Sequence, residues 1–220
     1  MNTPRNNAIP EDKDLSRLSR RMLPLLAAAL FAGCASKSTP PRIYVFSPAE
    51  ARAAAMERSE QDSDFTVRLA GVTVSPYLNR PQIVSRRSDT EIFADPDHRW
   101  GMPIEDTIAE ILRETLALEL PGAFVDTQTA RSSRNSGYSV LVTIVRMDGK
   151  PGESVELIAN WSLTRGGETS GVITRKFSRF EEKTADGSKE SYLKALRSLL
   201  VSFGTEIADT IASERPVPGE

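Results

Sequence analysis

The chain has little of several residue types on which common chemistries depend. Its 220 residues contain one cysteine and one histidine, and aromatic residues make up 6%. One cysteine forms no internal disulfide and cannot supply a cysteine-based metal site. The sequence also has no Walker-type phosphate loop and no Gly-x-Ser-x-Gly string. Any ATP hydrolysis therefore belongs to a partner, and a hydrolase triad is poorly supported.

Positive charge is not in excess. The chain has 28 Lys and Arg against 30 Asp and Glu, a net charge of -2. Residues 1–33 hold five of those basic residues and three of the acidic ones, so the chain without them carries -4. Nucleic-acid binding depends on basic surfaces, and this balance predicts no nucleic-acid partner.

No apolar run is long enough to cross a membrane. The longest, Met22–Gly33, falls well short of the roughly 20 residues that a spanning helix needs, and it contains Pro24. Arg17, Arg20 and Arg21 precede it. A positive flank before a short apolar stretch is typical of a secretory signal, so residues 1–33 are predicted to be a signal peptide.

The apolar run ends in Leu30-Phe31-Ala32-Gly33-Cys34, which resembles a bacterial lipobox. The resemblance implies cleavage before Cys34 and a covalent lipid on its thiol, with no other cofactor expected. Ala35 stands where an aspartate would signal inner-membrane retention, which favours an outer-membrane anchor facing the periplasm. The alternative is an ordinary signal-peptide cysteine in a secreted, unlipidated protein. Residues 34–41 are polar and end in two prolines, and we interpret them as a tether.

The first half of the remaining chain predicts strands around two helical segments. A phase shift at Gly71 in the alternating pattern indicates a β-bulge in one long strand. Pro103 is predicted to open an amphipathic helix that Pro121-Gly122 ends. The other predicted elements are strands at Arg42–Phe46, Gln82–Ser85 and Glu91–Ala94, a turn at 86–89, and a helix or helical connector at Ala49–Glu60.

The second half predicts a meander closed by a helix. Tyr138–Val145 is apolar on both faces and should be central in the sheet, whereas Val155–Leu163 alternates as if covered on one face. Val172–Phe180 is the next predicted strand. Apolar residues at three- and four-residue steps over Tyr192–Ile211 predict a long amphipathic helix. Its predicted solvent side carries Lys189, Lys194, Arg197 and Glu206.

These elements predict an α+β domain over residues 42–215, followed by a flexible tail at 216–220. The sheet should be mainly antiparallel, with the two long helices packed on one of its faces.

The string Val74-Ser-Pro-Tyr-Leu-Asn-Arg-Pro-Gln-Ile-Val84, followed by Arg99-Trp100 and a helix, resembles the ABC-type transport auxiliary lipoproteins, the paraquat-inducible protein C (PqiC) family. The segments Tyr44–Pro48, Ala159–Trp161 and Tyr192–Ile211 match the family's opening strand, amphipathic strand and closing helix. The resemblance covers nearly all of the chain after the signal. It implies a fold similar to the amino-terminal domain of the translocation protein TolB.

The resemblance also implies a non-enzymatic periplasmic accessory to lipid transport between the inner and outer membranes. The implied partner is an MCE-domain (PqiB-like) membrane protein, linked in some systems to an ABC permease and ATPase. A homo-oligomer is left open. Alternatives are a structural lipoprotein of envelope integrity or polysaccharide export and, with less support, a paired-carboxylate hydrolase.

Constrained loops with an aromatic and an arginine make good contact anchors, so part of this string is a candidate partner-docking site. The alternative is structural: Pro81 fixes one dihedral, Arg80 ties down backbone carbonyls, and Leu78 and Trp100 plug the core. The candidate docking residues are Tyr77, Leu78, Arg80, Pro81, Gln82, Arg99 and Trp100.

Two further groups of residues have side chains of types that bind ligands. Asp95, Asp97 and His98 are metal-ligating types, but one histidine in a polar, proline-containing loop is more often solvated, so no metal is expected. The second group consists of four arginines that lie close together in the sequence, Arg80, Arg86, Arg87 and Arg99. They could contact anionic lipid headgroups or an acidic partner, or they could form a solvated face.

Overall fold

The computed structural model describes residues 39–46, 65–126, 137–166 and 171–215. The predicted signal peptide, Cys34, the predicted helical segment Ala49–Glu60 and the predicted tail lie outside these residues. The described strands are β1 (Arg42–Tyr44), β2 (Phe65–Val74), β3 (Gln82–Arg86), β4 (Ile92–Trp100), β5 (Ala123–Asp126), β6 (Gly137–Gly149), β7 (Ser154–Arg165) and β8 (Gly171–Lys183), and the helices are α1 (Ile104–Glu119) and α2 (Lys189–Ser213).

The larger sheet has five strands in the order β5-β2-β6-β7-β8. β6, β7 and β8 form the predicted antiparallel meander, which contains the longest ladders. β2 instead lies parallel to both β5 and β6. Its register shifts between Leu69 and Gly71, as the predicted bulge requires. The α+β class is confirmed, and the parallel strands are a feature that the sequence pattern did not predict.

Both helices cover one face of this sheet. The apolar residues of β7 on that face are buried, as the alternating pattern predicted. β6 is central as predicted, although Leu141 and Val145 on its other face are 51% and 39% exposed. Tyr192, Phe203 and Ile207 of α2 are fully buried, so the predicted apolar side of the closing helix is confirmed. No helix in the described part of the chain is long and apolar enough to span a bilayer.

Two residues expected on the solvent side of α2 contact acidic groups instead. Lys189 Nζ lies 2.9 Å from Asp95 Oδ2, and its side chain is 14% exposed. Arg197 Nη2 lies 3.0 Å from Glu114 Oε2 on α1. The solvent assignment of these two residues was wrong, because a helix period does not show which neighbours flank its apolar stripe.

A second sheet of three strands has the order β1-β4-β3. We expected one sheet, with β4 ending at Ala94, but β4 continues through Pro96 to Trp100. The β3–β4 register shifts between Gln82 and Val84, so the proline lies in an irregular stretch where it removes no ladder hydrogen bond. β5 was also missed. Gly122, with a φ of 79°, makes the tight turn that leads into it from α1.

The helices approach closely at Gly204, which predicts a large effect of adding a side chain there. A Cβ at Gly204 would lie 2.8 Å from Cβ and Cγ2 of Thr115, whose hydroxyl donates to Ile111 O at 2.8 Å. Gly204→Val should therefore lower the free energy of unfolding by about 1–3 kcal/mol in a urea titration. Gly187→Val is the control, since nothing lies within 4 Å of its Cβ position. Equal stability of the two variants would contradict this packing.

Candidate functional site

The segment between β2 and β3 is held against β6 by its backbone. Ser75 N–H donates to Ile144 O at 2.9 Å, and the Ser75 hydroxyl donates to Val145 O at 2.7 Å. Leu78 N–H then donates back to Ser75 O at 2.9 Å, which closes a turn. The family-like string therefore forms a fixed loop rather than an extended linker.

Tyr77 fastens this loop to a buried carboxylate. Its hydroxyl donates to Asp148 Oδ2 at 2.6 Å. Burial, followed by the hydrogen bond and negative charge of Asp148, raises the pKa of Tyr77 well above its usual range. The phenol therefore stays protonated and keeps its donor role at physiological pH.

Asp148 is fully buried and is neutralised by two arginines. Arg86 Nε of β3 lies 2.5 Å from Asp148 Oδ1, and Arg146 Nε of β6 lies 3.0 Å from the same oxygen. The hydrogen bond to Asp148 raises the pKa of Arg86, consistent with a charge-assisted contact. The sequence suggested that Arg86 contacts lipid headgroups or an acidic partner, or forms part of a solvated face. The structure shows instead that Arg86 is half-buried and has a structural role.

The network continues to a second carboxylate and to α2. Arg146 Nη1 lies 2.5 Å from Glu156 Oε2, and Arg179 Nε contacts the other oxygen of Glu156. Tyr192 OH donates to Val84 O at 2.8 Å and accepts from Gly149 N–H at 3.2 Å. Polar side chains thereby join β3, β6, β7, β8 and α2, and a depression of about 190 Å³ lies beside them.

These paired charges resemble a structural element more than a catalytic centre. We call the ion-pair network of Asp148 and Glu156 with Arg86, Arg146 and Arg179 the brace. Both carboxylates, Asp148 and Glu156, are paired with arginines whose positive charges compensate them, as in a structural ion-pair network. Asp148 was not among the site residues predicted from the sequence. A signal was present, because Arg146 and Asp148 follow the apolar run that ends at Val145.

The structure divides the candidate docking residues into two groups. Leu78 and Trp100 are 3% and 8% exposed and belong to the core, as the structural alternative expected. Arg80 is half-buried, and its Nε has no hydrogen-bond acceptor among the described residues. Tyr77 is turned towards Asp148. Among the remaining members, Pro81 and Arg99 are exposed and Gln82 is half-buried.

Pro81, Gln82 and Arg99 lie side by side in the small sheet. Gln82 of β3 and Arg99 of β4 are register partners. The carbonyl of Pro81 accepts from Trp100 N–H at 2.8 Å. The fixed loop and the buried Trp100 thus hold a small, partly exposed group with one guanidinium in a defined geometry.

Asp95, Asp97 and His98 lie in the irregular part of β4, not in the polar, proline-containing loop that we expected. Asp95 Oδ2 contacts both Lys189 Nζ, at 2.9 Å, and His98 Nδ1, at 3.0 Å. The His98 ring stacks on Tyr44, with centroids 5.6 Å apart. Across the described ranges, no three His, Cys, Asp or Glu side chains are grouped so as to hold a metal ion.

This contact predicts a specific acid dependence. Burial acts to raise the pKa of Asp95, but Lys189, His98 and the Asp97 N–H together hold it below its ordinary value of 3.8. A depressed pKa contributes stability above the unfolded-state pKa and loses it as pH falls through the folded-state pKa. Asp95→Asn should therefore destabilise the chain at neutral pH, with the difference from wild type shrinking below about pH 4.

Urea titrations between pH 7 and pH 2.5 measure that difference. Asp89→Asn is the control, because Asp89 is exposed in the turn after β3. A constant gap between wild type and Asp95→Asn across this pH range would contradict the ion pair.

Comparison with known proteins gives the chain a family. The family model of the ABC-type transport auxiliary lipoprotein component matches residues 44–208. The chain belongs to this family of auxiliary lipoproteins. The match confirms the resemblance drawn from the Val74–Val84 string, and it makes the chain a membrane-anchored envelope lipoprotein that serves a transport system.

Solved structures support the fold of this auxiliary lipoprotein. A crystal structure of an uncharacterized protein is similar at a TM-score of 0.65 with 19% identity, covering 79% of this chain and 99% of that one. A protein from Xanthomonas campestris of the DUF330 family is similar at 0.54 with 12% identity, covering 80% and 99%. No curated protein gives a significant match.

Proposed function

We propose that the chain is a non-enzymatic adaptor in lipid transport between the inner and outer membranes. The family match over residues 44–208 carries this proposal, because it identifies the chain as an auxiliary component of transport. The braced carboxylates support an adaptor over a hydrolase, since catalysis needs titratable groups that can exchange protons with a substrate. The proposed partner is an MCE-domain membrane protein that bridges the envelope.

The proposed anchor is a lipid on Cys34 in the outer membrane, after removal of residues 1–33. The lipobox and Ala35 support this location. Residues 34–41 then tether the domain formed by residues 42–215 to the bilayer. An adaptor anchored in this way is presented to its partner at a fixed height, which raises the effective concentration of a weak contact.

The proposed docking surface consists of Pro81, Gln82 and Arg99. Its support is geometric: Pro81 and Arg99 are exposed and Gln82 is partly exposed on a rigid loop and strand, so little conformational entropy is lost when a partner binds. Arg99 adds a planar donor for a carboxylate or backbone carbonyl. Tyr77 and Asp148 act beneath this surface by fixing the loop that carries it.

Site-specific photo-crosslinking tests the docking surface in living cells. A photo-reactive amino acid at Gln82 should crosslink to an MCE-domain protein. The same group at Lys194 is the control, since that side chain is 76% exposed and belongs to α2 rather than to the small sheet. Crosslinks from Gln82 to a second copy of the chain would assign the surface to a homo-oligomer, and equal yields from both positions would contradict docking here.

A further inference from the structure

The three-stranded sheet has one face that the core does not cover. On its inner face, Tyr44 stacks on His98, and Phe46 packs edge-on against Trp100 with centroids 5.6 Å apart. Because side chains alternate along a strand, Ile43 and Val45 point to the opposite face. Ile43 is 68% exposed and Val45 is 59% exposed.

These aliphatic side chains form one patch with the end of β4. A Cβ on Gly101 would lie 2.5 Å from Val45 Cγ1 and 3.2 Å from Ile43 Cγ2, so both side chains lie over this glycine. Met102, the next residue, is 39% exposed. A solvent-facing strand normally carries polar residues at such positions, and adjacent exposed aliphatic groups mark a contact surface.

One guanidinium group borders the patch. Arg99 is the register partner of Ile43 and lies on the same face of the sheet. Arg42 is exposed, but the alternation of side chains places it on the face of Tyr44. Aliphatic side chains beside an arginine suit the interfacial region of a phospholipid bilayer, where apolar groups enter the acyl boundary and guanidinium groups contact phosphates.

The position of the patch in the chain identifies its occupant. Ile43 follows Cys34 by nine residues. The eight residues 34–41 span about 29 Å at most when fully extended, so a lipid on Cys34 keeps the patch close to a membrane surface. With a tether of this length, a contact between the patch and the bilayer becomes effectively intramolecular, so it can form even if it is too weak to bind the domain on its own.

We propose that Ile43, Val45 and Met102 form a membrane-contacting patch that seats the domain on the phospholipid bilayer holding its anchor. The proposal rests on the anchor at Cys34 and adds an orientation to it. Gln82 lies on the same face as Ile43, on the far side of Arg99. The β1 edge of this face therefore meets the bilayer, while its β3 edge remains available to the partner.

Depth-dependent fluorescence quenching tests the orientation. The lipidated chain is reconstituted in vesicles of phosphatidylethanolamine and phosphatidylglycerol, with an environment-sensitive dye on Ile43→Cys or Val45→Cys. Cys34 is the chain's one native cysteine, and its thiol is consumed by the lipid, so the dye marks one position. Phe177→Cys is the matched control, because Phe177 is 65% exposed on β8 of the other sheet.

We expect the emission of dyes at positions 43 and 45 to shift to the blue, and we expect these dyes to be quenched by nitroxide lipids but not by aqueous iodide. The dye at position 177 should be quenched by iodide and not by nitroxide lipids, and its emission should not shift. If iodide quenches the dyes at 43 and 45 as much as the dye at 177, the membrane contact is overturned. If neither quencher reaches the dyes at 43 and 45, the proposal is also overturned, because protein and not lipid then covers these positions. Flotation with the vesicles is scored separately. A chain that floats without membrane quenching overturns the patch alone, whereas a chain that does not float overturns the anchor as well.

Discussion

Asp148→Ala is expected to lower the free energy of unfolding by about 3–5 kcal/mol, because it leaves half-buried arginines without their counter-charge. Asp148 has no exposed surface and accepts from Tyr77, Arg86 and Arg146. The loss should appear as a lower midpoint in urea unfolding of the purified chain, followed by circular dichroism.

Two variants bracket this expectation. Tyr77→Phe removes one hydrogen bond to Asp148 and should cost about 1 kcal/mol. Glu91→Ala removes an ion pair with Arg87 in which both side chains are more than half exposed, and it should cost under about 1 kcal/mol. If Asp148→Ala lost no more stability than Glu91→Ala, the brace would not hold the loop and β3 to the large sheet.

Cys34→Ser is expected to abolish fatty-acid incorporation into the chain. A serine hydroxyl does not replace the thiol that the lipobox presents, and each buried methylene of the lost acyl chains contributes about 0.8 kcal/mol to membrane binding. Labelling cells with a traceable fatty acid and recovering the chain by immunoprecipitation measures the loss.

Ser36→Ala is the control for Cys34→Ser, since it changes a neighbouring residue outside the lipobox and should label like wild type. Persistent label in Cys34→Ser would place the lipid elsewhere. Full retention of an unlabelled chain in the membrane fraction would show that something other than lipid holds it there.

The sequence predicted the elements whose period is long and regular. The repeat from Tyr192 to Ile211 identified α2, and the alternation of Val155–Leu163 identified β7 and its covered face. Both depend on local spacing, which a sequence displays directly. The bulge at Gly71 was predicted for the same reason, because it changes the phase of an alternating pattern.

Features that depend on distant pairing were not predicted. β4 continues past Pro96 because its register with β3 changes there, and the short β5 pairs only with the first residues of β2. The contacts of Asp148 with Arg86 and Tyr77 join residues 62 and 71 positions apart. No local pattern in the sequence identifies such partners. The Val74–Val84 string therefore indicated the family but not that its Tyr77 contacts Asp148.

The exposed aliphatic residues of β1 illustrate the same limit. The run Arg42–Phe46 predicted a strand, but it is apolar at adjacent positions and could not show which face the core covers. The structure assigns Tyr44 and Phe46 to the inner face and leaves Ile43 and Val45 in solvent.

The most direct test of the adaptor proposal is a crosslinking pull-down of the lipidated chain from intact cell envelopes, with its partners identified by mass spectrometry. We predict that an MCE-domain protein is recovered with wild type and is reduced when Gln82 and Arg99 are both replaced by alanine. Consistent absence of any MCE-domain protein from wild-type samples would contradict the proposed role in lipid transport.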